Sequence, residues 1–142
     1  MINNFEDITQ ELSGDEKKVL PILIKGLKNC VGKQKSYSNK KIKGILLTKY
    51  NIKLSEPRLR KVIQYIRVQG LVPCLIATSK GYYVSDDMNE VRDYCESLQQ
   101  RINAIKQTKE SIEKQIIKKW YNKNQYTLKS DTNNTPQTQL GI

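Results

Sequence analysis

Histidine is missing from this chain altogether, and phenylalanine and tryptophan occur once each. Without an imidazole, no side chain titrates near neutrality in its ordinary state to serve as a general base, and no Cys–His zinc site can form. The three cysteines, Cys30, Cys74 and Cys95, are far apart and odd in number. That argues against a disulfide framework and for reduced thiols. The longest apolar run, Val19-Leu20-Pro21-Ile22-Leu23-Ile24, falls far short of the roughly 20 residues a membrane span needs. The N-terminus is polar and acidic, so no signal peptide is expected and the expected location is the cytoplasm. No phosphate-cradling Gly-rich loop and no nucleophile–base pair is recognisable, so the expectation is a protein that is not an enzyme and uses no cofactor and no metal.

Acids are also scarce: 14 Asp and Glu stand against 25 Lys and Arg, a net charge of +11. A basic balance of this size points to nucleic acid or an anionic surface as partner. The excess is concentrated. Residues 1–16 carry Glu6, Asp7, Glu11, Asp15 and Glu16 with no Lys or Arg, whereas residues 17–70 carry fifteen Lys or Arg against the single acid Glu56. Only 37% of the chain is apolar, which suits a compact core built from part of it.

Residues 1–12 suggest a short amphipathic turn around Phe5, Ile8 and Leu12. Ser13 followed by Glu16 fits a capping box opening a first helix, with Val19, Leu20, Leu23, Ile24 and Leu27 as its apolar face and an end near Asn29. Pro21 lies inside it, so a kink or a late start is expected. Gly32-Lys33-Gln34-Lys35 is a basic loop. Ser38 is placed to cap a second helix over about Asn39–Tyr50, with Ile42, Ile45 and Leu46 inside and Lys40, Lys41 and Lys43 outside. After the turn Asn51–Leu54, which drops Leu54 into the core, Ser55 and Pro57 write the start of a third helix and Gly70 its stop. Leu59, Val62, Ile63 and Ile66 form its apolar stripe. At about 100° per residue, Pro57, Lys61 and Gln64 are expected to point away from that stripe, with Arg58 and Tyr65 on one flank and Arg60 and Arg67 on the other.

Leu71–Thr78 and Tyr82–Ser85 are rich in β-formers and are joined by Ser79-Lys80-Gly81, a hairpin turn with Gly at a left-handed position and Pro73 at a strand edge. The expected fold is therefore mainly α with a small β-hairpin. Element order, the segment Leu54-Ser55-Glu56-Pro57-Arg58-Leu59-Arg60 and the hairpin Ala77-Thr78-Ser79-Lys80-Gly81-Tyr82-Tyr83-Val84 resemble the winged helix-turn-helix domain over residues 15–85. They also look like small proteins of this build carried by bacteriophages and mobile elements. The resemblance implies a double-stranded DNA-binding protein, a transcriptional regulator or replication-origin-binding factor in a bacterial host cytoplasm. Groove contacts would come from Ser55, Pro57, Arg58, Arg60, Lys61, Gln64 and Arg67. Phosphate contacts would come from Lys40, Lys41, Lys43 and Lys80, with Tyr82 at the backbone or minor groove. Aromatics are too few and too separate from the basic residues to favour RNA.

Residues 86–121 read as a long C-terminal, coiled-coil-like helix, near 50 Å at 1.5 Å per residue. Asp86, Asp87, Glu90, Asp93 and Glu96 cluster at its start, where capping and dipole compensation explain them without a metal. Val91, Cys95, Leu98, Ile102, Ile105, Lys109, Ile112 and Ile116 alternate by four and three, a heptad seam expected to make a homodimer. Residues 122–142 are polar and expected to be disordered, and residues 1–14 form an acidic segment. The closing Gln139-Leu140-Gly141-Ile142 faintly resembles motifs that bind a replicative sliding clamp. The competing class is a protein-interaction adaptor, docking through the small domain and the long helix.

Overall fold

The computed structural model describes residues 11–122. In chain order these form α1 (Gly14–Lys28), a 3-10 turn (Lys33–Lys35), α2 (Asn39–Tyr50), α3 (Glu56–Gln69), β1 (Leu75–Thr78), β2 (Gly81–Val84) and α4 (Met88–Ile116), which ends in a π turn (Ile117–Tyr121). The protein is mainly helical, with one small antiparallel hairpin and a long C-terminal helix. Of the turn expected around Phe5, Ile8 and Leu12, only Leu12 falls within the described residues, and it is buried. The tail motif at Gln139–Ile142 lies outside them.

The local signals at the helix ends act largely as chemistry dictates. Ser13 N–H donates to Glu16 Oε1 at 2.7 Å and Glu16 N–H donates to Ser13 Oγ at 3.3 Å, so both arms of the capping box are made. The α1 helix begins there and runs through exposed Pro21, giving up the one hydrogen bond that residue cannot donate; a late start is not what happens. Lys41 N–H donates to Ser38 Oγ at 3.2 Å. Ser55 differs: it flanks α3 at the capping position, but its hydroxyl caps nothing, and Pro57 and Glu56 serve the first turn instead. Gly70 closes α3 at φ 68°.

One core holds these helices together. Val19, Leu23 and Leu27 of α1 meet Ile42 and Leu46 of α2 and the stripe Leu59, Val62, Ile63 and Ile66 of α3, with Leu54, Val72, Leu75 and Tyr82 filling between them. Each such aliphatic side chain removed from water contributes about 1.5–3 kcal/mol before entropy is counted.

The hairpin starts later than β-propensity suggests. Pro73 and Cys74, the latter at φ 60°, turn the chain, and pairing begins at Leu75↔Val84 and ends at Thr78↔Gly81. The basic loop before α2 also does more than connect. Tyr37 and Tyr82 exchange backbone hydrogen bonds at 3.0 and 2.9 Å, and Val31 bridges Val84, so this segment runs along the free edge of β2. Gly81 is required where the three meet. Its φ is +131°, and a Cβ there would lie 2.3 Å from the Tyr37 carbonyl oxygen.

Two compact units divide the chain, one ending at Tyr94 and the other beginning at Cys95. The first of these units takes in the first two turns of α4. Arg67 donates to the Tyr94 hydroxyl, and burial together with the nearby Glu90 carboxylate pushes the Tyr83 phenol above its ordinary value. Asp87 caps α4, accepting from Asn89 N–H at 2.9 Å.

Candidate nucleic-acid interface

Two helix starts and one strand meet through a chain of polar contacts. The Tyr82 hydroxyl donates to Asn39 Oδ1 at 2.8 Å, Asn39 Nδ2 donates to Glu56 Oε1 at 3.3 Å, and the Arg60 guanidinium donates to the same oxygen at 2.8 Å. The first residues of α2 and α3 are thereby fixed against β2. Glu56 faces the positive end of its own helix, where a carboxylate is favourable. Beside it, Lys40, Lys43 and Lys53 line one groove with Gly44, Leu47, Leu54 and Ser55. Lys41 stands with its ammonium 4.3 Å from the centre of the Tyr37 ring. Lys80 is exposed at the hairpin turn.

The outward face of α3 is rotated from the one periodicity suggests. Periodicity alone points Lys61 into solvent, but it is only 9% exposed, and its ammonium lies 2.8 Å from Glu16 Oε1. The N-terminal turn of α1 covers that side. Arg58 follows it, 3.5 Å from Glu16 Oε2 and within 3.1 Å of Ser13 Oγ. A single carboxylate thus gathers two cations, burying Lys61 and leaving Arg58 partly exposed at the edge of the face. Pro57 and Arg60 are exposed and Gln64 and Arg67 half-exposed, so the open face runs through these four.

The Glu16 carboxyl shows its setting in its acidity. Burial pushes it up, but the hydrogen bond from Lys61, those from Ser13 and the Lys61 charge together hold it below the usual carboxylate value.

Tyr82 is the other correction. It is buried in the core with its hydroxyl engaged by Asn39, not free at the surface, because the residue 30–37 segment closes over β2. Burial pushes its phenol above the ordinary value, in spite of the Asn39 bond and the nearby Arg60 and Arg67 charges.

Three contributors were not singled out from sequence. Val68 is 69% exposed on the outer side of α3, an apolar residue at a position where solvent would favour a polar one. Asn39 and Glu56 organise the junction; only their places at helix starts hinted at it. Among the described residues, no group of three or more His, Cys, Asp or Glu is placed to share a metal ion. No helix among them is long and apolar enough to cross a membrane.

A scan against protein-family models finds no match, and searches of curated proteins and of solved structures find none either.

Proposed function

We propose that residues 15–85 form a winged helix-turn-helix and that the protein binds double-stranded DNA. The carrying observation is the junction of Tyr82, Asn39, Glu56 and Arg60, which fixes the start of α2 against the start of α3, beside exposed lysines. In this reading α3 enters the major groove. Arg60, its side chain still open to solvent, addresses guanine acceptors, Gln64 addresses adenine, and Val68 offers an apolar contact to a thymine methyl. Lys40, Lys41, Lys43 and Lys53 on and after α2, with Lys80 at the hairpin tip, neutralise phosphates and set the register. Lys61 and Tyr82 leave the contact set because they are buried, and Arg67 because Tyr94 holds its guanidinium, whereas Arg58 stays at the edge of the face, its side chain partly exposed beside Glu16. A regulator of transcription, or a factor that marks a replication origin of a phage-like element, would use this surface in the same way.

Binding to a mixed-sequence duplex, followed by fluorescence anisotropy across salt concentrations, tests the proposal. Four or five phosphate contacts give a slope of log affinity against log salt of about −4. Absence of binding to any duplex at low salt overturns it. An adaptor reading draws support from the exposed apolar side chains of α4. A pull-down from nuclease-treated lysate separates the two, because an adaptor keeps its protein partner when DNA is gone.

A further inference from the structure

We infer that the α4 seam pairs with a second copy of this chain, and that the two helices run antiparallel. None of the α4 side chains is buried, and Ile102, Ile105 and Ile112 are 56%, 65% and 51% exposed along one stripe. Hydrocarbon displayed at heptad spacing over this length is covered most simply by the same stripe on another helix.

The charges beside the seam choose the direction. In a parallel pair, Arg101 would flank Lys106 of the partner subunit, twice by symmetry. Lys109, on the seam itself, would share a core layer with Lys109 of the partner subunit. Within α4 the parallel arrangement therefore gathers like charges and makes no opposite-sign pair across the flanks. Turning one helix round removes each conflict. With the helices overlapping across the whole seam, Ile102 meets Ile105 of the partner subunit, and Cys95 meets Ile112 of the partner subunit. Lys109 lies over Leu98 of the partner subunit, its methylene stem covering that leucine. Its ammonium keeps the carboxylate of Glu113 in its own helix, 2.7 Å away. Arg92 of the partner subunit then reaches that same Glu113, an opposite-sign contact made twice. The assembly is a twofold with identical surfaces facing each other, the commonest closed symmetry. This pairing does not depend on DNA binding.

Cysteine cross-linking of the full-length protein reads the direction. Cys74 is exposed and sits at φ 60°, so Cys74→Asn removes a stray thiol with a residue that tolerates that backbone. In this background, Cys95 is expected to form no disulfide on mild oxidation, because its copy lies tens of ångströms away. Adding Ile112→Cys is expected to produce a covalent dimer, since Cys95 of one helix then faces the new thiol across one layer. Further adding Cys95→Ala is expected to abolish it. A parallel pair gives the reverse: a covalent dimer in the background alone, and one that survives Cys95→Ala. Either of those results overturns the direction. A chain that sediments as a monomer at every concentration overturns the pairing. A loss of DNA binding with the cross-linking pattern intact leaves the pairing standing and counts against the DNA reading alone.

Discussion

The Lys61 ammonium and the Glu16 carboxylate meet at 2.8 Å although 45 residues separate them, and each side chain is almost wholly withdrawn from water. This contact ties the capped start of α1 to the middle of α3. It also decides which side of α3 remains open.

A buried pair of this kind is costly to break on one side only. Glu16→Gln leaves the Lys61 ammonium without its counter-ion in a place water hardly reaches. The expected loss is about 3 kcal/mol in urea unfolding. Glu16→Gln combined with Lys61→Met removes the stranded charge and is expected to recover most of that loss. A single-variant loss under about 0.5 kcal/mol would place the contact among ordinary surface bridges and defeat this account.

Stability should also fall in acid through the same group. The folded Glu16 pKa lies below its ordinary value of 4.5. The stabilising contribution is therefore fully present above about 4.5 and is lost as pH drops through the lower, folded value. Urea midpoints for the wild type and Glu16→Gln are expected to lie well apart at pH 7. They should converge as pH falls from 4.5 towards 2, with the wild type moving more. Parallel pH curves for the two proteins would show that Glu16 is not the linked group.

Local chemistry made much of this fold readable. The Ser13–Glu16 capping box, the Ser38 cap, the Gly70 stop and the Leu59–Ile66 stripe each depend on residues within a turn or two of one another. The angle of Lys61 on α3 says nothing about where α1 begins, so periodicity alone turns it outward. The burial of Tyr82 is hidden from sequence for a similar reason, since the segment that covers it lies before α2 and carries no strand pattern. Ser55 has the right type and position for a cap, yet its hydroxyl makes none of the bonds that would define one. What escaped sequence reading is what long-range packing decides.

Gly81 offers a test of that packing at the hairpin. Gly81→Ala must place a methyl group against the Tyr37 backbone at a φ of +131°. Backbone strain alone costs on the order of 1–3 kcal/mol at such a position, and the steric conflict adds to it. A thermal shift assay is expected to show a clear drop in midpoint, with loss of the Tyr37–Tyr82 pairing visible as faster amide exchange at both residues. An unchanged midpoint would mean the segment can step aside freely.

The rotated face of α3 changes which substitutions should alter sequence preference. Gln64 is half-exposed and belongs to the open side, whereas Lys43 lines the groove beside the start of α3. Gln64→Ala is expected to cost about 1–3 kcal/mol on a selected site and much less on unrelated duplexes, narrowing the gap between them. Lys43→Ala is expected to weaken all duplexes alike and to reduce the salt slope by about 1. Lys61→Ala belongs to neither pattern: it should lower the unfolding midpoint before it changes any preference, because its ammonium serves Glu16. Competition binding against a randomised duplex pool, with folding checked for each variant, separates the three. Equal losses on every sequence for Gln64→Ala would remove base reading from this helix.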